Sequence, residues 1–104
     1  MIISTTETVP NKEIIEIIGI VKGNTVRAKH VGKDIFAGLK SIVGGEIGAY
    51  TALLEEAREQ AMGRMILVGQ KVNADAIVNV GMTTSSVMQT SSEILVYGTA
   101  VKLS

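Results

Sequence analysis

A glycine-broken stretch in the middle of the chain constrains its fold most. Lys33 to Tyr50 reads KDIFAGLKSIVGGEIGAY. Val31, Ile35, Leu39 and Ile42 fall on one helical stripe, with Phe36 and Val43 beside it. The spacing predicts a first helix over roughly Lys33 to Val43, with Asp34 suited to the positive end of its dipole. Gly44-Gly45 stops that pattern, and Gly48 breaks it again. A second, longer helix is predicted from Tyr50 to Val72. Over it Tyr50, Leu53, Leu54, Ala57, Ala61, Met65, Val68 and Val72 keep helical spacing. Asn73 follows as a left-handed C-cap.

On both sides of this pair the sequence reads as strand. Ile2, Ile3 and the Ser4-Thr5-Thr6 run predict a short first strand, and Val9-Pro10-Asn11-Lys12 predicts a turn. Glu13 to Val21, EIIEIIGIV, is apolar and β-branched enough for a strand buried on both faces, Glu16 excepted. Lys22-Gly23-Asn24 reads as a turn that returns the chain along Thr25 to Lys29 as a hairpin. Asp75 to Ser86 predicts another strand, Val87 to Ser92 a polar turn, and Glu93 to Leu103 a closing strand. In that last strand Leu95, Tyr97, Thr99, Val101 and Leu103 share a face.

The expected fold is therefore α+β in a single domain, residues 1–104. Its order is strand, strand, helix, helix, strand, strand, with a mostly antiparallel sheet packed by two helices. Hydrophobic residues make up 46% of the chain and charged residues only 19%, too few to cover so small a domain. The apolar excess predicts burial between subunits, hence a homo-oligomer. Neither a leader pattern nor a run long enough to span a bilayer stands out, which predicts a cytoplasmic protein without a membrane partner.

The possible chemistries narrow quickly. With no cysteine and one histidine, His30, four-coordinate zinc lacks ligands, so no metal residue and no cofactor is assigned. Ser85, Ser86, Ser91 and Ser92 offer hydroxyls, but the lone histidine has no orienting acid in sight, so no catalytic residue is assigned. Gly44, Gly45, Glu46 and Gly48 could cradle a phosphate at a helix start, yet the stretch follows a helix and lacks the lysine of a P-loop. Gly45-Glu46-Ile47-Gly48 is also the GxxG spacing with which KH domains clamp single-stranded nucleic acid. Glu46 and the zero net charge argue against it. Asp34, Gly44, Gly45, Glu46, Gly48 and Tyr50 stand as the candidate ligand or interface loop. Met62, Met65, Met82 and Met88 read as core or interface filler.

The run KDIFAGLKSIVGGEIGAY, then LLEEAREQAM, NADAIVNV and YGTAV, resembles the YbjQ-like family, a bacterial and archaeal group described as a "putative heavy-metal-binding domain". The resemblance spans essentially the whole chain. It implies an α+β subunit assembled into a ring, a pentamer, with no known reaction. Relatives commonly carry arginine after the double glycine and an acidic pair on the strand after the second helix. This chain has Glu46 at the first place, and Gly81 and Thr83 at the second. The functional expectation is an uncharacterised homo-oligomeric binding or structural protein. A heavy-metal binder and a nucleic-acid binder acting through Gly45–Gly48 are the alternatives.

Overall fold

The computed structural model describes residues 1–28, 46–88 and 91–104. It is α+β, with one helix among those residues and a four-stranded mixed sheet. The elements are β1 (Ile2–Ile3), β2 (Ile14–Ala28), α1 (Glu46–Lys71), β3 (Ala76–Met88) and β4 (Ser91–Leu103). The sheet order is β1-β3-β4-β2. β4 pairs antiparallel with both β2 and β3, while β1 pairs parallel with β3 through Ile2–Ala76 and Ile3–Ile77.

Where a hairpin is predicted, the described residues Ile14–Ala28 form one continuous strand. Gly23 lies opposite Val96 in the middle of it. Its role is close approach, not reversal. A Cβ there would strike the Ala61 carbonyl oxygen and the Met65 amide nitrogen of α1, and would lie 2.8 Å from Arg64 Cβ. The helix can lie this low because it offers the sheet small side chains at Ala57 and Ala61. Only residues without bulk at the crossing permit such an approach.

The helix also starts earlier than predicted. It begins at Glu46 and runs through Gly48, so Gly48 lies inside the helix instead of breaking it. One glycine near a helix end costs only about 1 kcal/mol, which the packing of the following turns offsets. The first predicted helix, Lys33 to Val43, falls outside the described residues, so the two-helix count rests on sequence alone. At the other end the chain stops as expected. Asn73 takes φ 59°, its N–H donates to the Gln70 carbonyl, and the Ala74 N–H donates to the Gly69 carbonyl. That is the Schellman arrangement.

Alternation along the strands sorts the residues onto two faces. Under α1 lie Val21, Ile77, Ile94, Val96 and Ala100, packed against Ala57, Ala61 and Met65. The buried helix stripe is narrower than predicted, because Val68 and Val72 are partly exposed. The outer face has its own small cluster at one end, where Val9 covers Ala76, Val78 and Val101. Val9 is held there by the turn at Asn11, which has φ 64°, with the Lys12 N–H donating to the Val9 carbonyl. The segment before it laces onto β3: Ser4 N–H donates to Ile77 O, Val80 N–H to Ser4 O, and Asn79 N–H to Thr6 O. The first strand is thus two residues long instead of five, and the lacing continues without regular strand geometry. β3 and β4 also run further than predicted, to Met88 and from Ser91.

The molecule is elongated. Its extents are 55 × 25 × 19 Å, and the 15-residue β2 accounts for about 50 Å of the longest axis. The radius of gyration is 17.1 Å, against about 13 Å for a compact chain of this length.

Candidate functional site

Three of the six sequence candidates fall among the described residues. Glu46, Gly48 and Tyr50 occupy the opening turns of α1. Asp34, Gly44 and Gly45 lie outside the described residues. Of the GxxG spacing, Glu46, Ile47 and Gly48 are in helical geometry.

What the described residues present instead is the outer face of the sheet. Register places Ile17 opposite Val101, Ile20 opposite Thr99, Lys22 opposite Tyr97, and Val26 opposite Glu93. These positions alternate with Val21, Gly23 and Thr25 beneath the helix, so they point away from it. Their exposures are high for such side chains: Ile17 70%, Ile20 80%, Val26 55% and Tyr97 41%. Ile15, beside the β-bulge between Ile14 and Glu16, is exposed as well. The expectation that both faces of this strand are buried is therefore corrected: its helix-facing residues are buried and its outward isoleucines are not.

Two features shape this face. The ring of Tyr97 lies over Gly81, where a Cβ would fall 2.6 Å from the tyrosine Oη. A side chain at residue 81 would lift the ring off the sheet. Nearer Val9, a shallow cleft of about 210 Å³ opens between the N-terminal segment and the strands. Val78 and Val101 form its floor, Ile14 and Ile17 its walls, and Glu7, Asn79 and Thr99 its polar rim. Asn79 takes φ 54° at the bulge where β3 shifts register between Val78 and Gly81. A cleft this small suits one side chain better than a drug-sized ligand, which needs about 300 Å³ or more.

Four charged side chains, Arg64, Asp75, Glu93 and Lys102, are engaged in structural contacts. Asn24 Nδ2 donates to Glu93 Oε2 at 3.0 Å, and Arg64 Nη1 donates to the Asn24 carbonyl at 2.5 Å. Asp75 ties two strand ends: its Oδ2 accepts the Leu103 N–H at 2.9 Å and its Oδ1 lies 3.7 Å from Lys102 Nζ. This face can pack against apolar surface. Sequence reasoning missed Ile17, Ile20 and Val26 as its principal residues. The available signal was the imbalance of apolar over charged residues, which did not say where the excess lay.

A family model described as "Putative heavy-metal-binding" matches residues 1–104. The chain belongs to the YbjQ-like family. Its relatives include a UPF0145 protein of Archaeoglobus fulgidus, 62% identical over 99% of this chain and 95% of that one. Another is a UPF0145 protein of Psychromonas ingrahamii, 59% identical over 99% and 98%. A third, from Methanosarcina acetivorans, is 54% identical over 99% and 97%. A crystal structure of a protein with unknown function from Pediococcus pentosaceus superposes with a TM-score of 0.67. It is 14% identical and covers 100% of this chain and 98% of its own, a likeness of fold alone.

The family's description calls for a test of metal donors. Among the described residues no three His, Cys, Asp or Glu side chains come together. The residues described do not fit a heavy-metal centre, and no chemistry is derived through one. Also among those residues, no helix is long and apolar enough to cross a membrane.

Proposed function

We propose that this YbjQ-like chain is a cytosolic subunit of a homo-oligomeric assembly that binds or scaffolds without catalysing a reaction, and that the outer face of its sheet is buried between copies. One observation carries the reading: Ile17, Ile20 and Val26 stand in a row on that face with more than half their surface in water. Fully burying one such side chain is worth about 1.5–3 kcal/mol, so three together supply a driving force that association can use. The elongated shape agrees, since a molecule 55 Å long with a single described helix leaves much of the sheet to cover. The subunit number, a ring of five, comes from the family resemblance. The cleft beside Ile17 offers a socket for one protruding side chain of a neighbouring copy.

The test is light scattering on the untagged protein across a dilution series. The wild-type chain is expected to scatter as an oligomer at micromolar concentration. Ile20→Glu, which puts a charge into the buried seam, is expected to scatter as a monomer. A monomeric wild-type protein at that concentration overturns the proposal.

A further inference from the structure

We infer that the heavy-metal description of the family does not extend to a soft-metal site built by a single chain of this protein. Soft ions are selected by thiolate, thioether and imidazole donors. The whole sequence supplies no thiol, one imidazole and five thioethers. Four of the thioethers are dispersed or occupied: Met65 is completely buried in the core beneath the helix, and Met62 packs against the same core. Met1 lies beside Gly69 near the end of the helix, whereas Met82 sits on β3 opposite Val96.

Two carboxylates, Asp75 and Glu93, are already engaged. Both oxygens of Asp75 are committed, one to a backbone N–H and one to the Lys102 ammonium. A cation arriving there must break the hydrogen bond and face a resident positive charge. Glu93 accepts from Asn24. Structural zinc needs four ligands, and even a catalytic zinc keeps three from the protein. One chain brings a single imidazole, so any second imidazole donor must come from another copy, each offering its own His30.

The experiment loads untagged protein separately with Zn²⁺, Cd²⁺ and Cu⁺, removes loose metal on a chelating resin, and counts ions by plasma mass spectrometry. Retention below about one ion per ten chains is expected for each metal. One retained ion per chain overturns the inference. Substoichiometric retention that disappears in His30→Gln supports it, because the ion is then shared between copies. Substoichiometric retention that survives His30→Gln overturns it. A second readout uses the Leu103 amide resonance, which reports on Asp75 directly: saturable movement at micromolar Cd²⁺ contradicts the inference, and a stationary signal agrees with it.

Discussion

The two faces of the sheet are built from similar residues and meet different fates. Beneath α1, Val21, Ile77, Ile94 and Val96 close against Ala57, Ala61 and Met65. On the outer face, Val9 closes over Val78 and Val101 at one end only, and Ile17, Ile20, Val26 and Tyr97 stand bare beyond it. Apolarity alone does not distinguish Val21 from Ile20. What distinguishes them is the element that arrives on each side: a helix of 26 residues, about 39 Å long, against an N-terminal segment that covers one end. One face closes against the helix; the other leaves its isoleucines in water.

The sharpest way to break this comparison is to damage the closed face. Among the described side chains of α1, Met65 is the largest that is fully buried. Met65→Ala is expected to cost about 2–5 kcal/mol, read as a lower midpoint in a urea titration. Gly23→Ala comes next. It forces a methyl group onto helix backbone that cannot swing aside, and is expected to cost about 1–3 kcal/mol. A loss under about 0.5 kcal/mol contradicts the close approach of α1 to β2. The open face gives the smallest effect. Ile20→Glu, measured at concentrations where the chain is dispersed, is expected to change stability by about 0.5 kcal/mol or less. A loss as large as that of Met65→Ala contradicts the assignment of this residue to a bare face.

Much of the fold was legible in the sequence, for local reasons. The helix from Tyr50 onward announces itself by spacing, and Asn73 ends it with the positive φ expected of that residue. Val9-Pro10-Asn11-Lys12 makes its turn, with Asn11 left-handed. β4 keeps the alternation read from Leu95 to Leu103. The errors concern residues whose meaning depends on distant partners. Glycine between strand-formers reads as a turn, but Gly23 is small because Ala61 and Met65 pass over it from 38 or more residues away. Gly48 reads as a break, yet the helix it enters is held by packing several turns later. The parallel pairing of β1 is equally invisible, since nothing in Ile2-Ile3 says that Ala76 and Ile77 are its neighbours.

The candidate site was less legible than the fold. The glycine stretch drew attention because glycines often attend ligands, whereas the structure points to isoleucines on an outward face. The predicted apolar excess is present, and the alternation of β2 assigns it to one side. Reaching that assignment required knowing which side the helix covers, and the strand sequence carries no record of that.

Native mass spectrometry of the untagged wild-type chain and Ile20→Glu, side by side at micromolar concentration, tests the central claim most directly. A discrete multiple of the 11.0 kDa chain mass for the wild type, five for the proposed ring, with a single chain for the variant, is the predicted result. A single chain for both proteins, or the same multiple for both, would contradict burial of the outer face between copies.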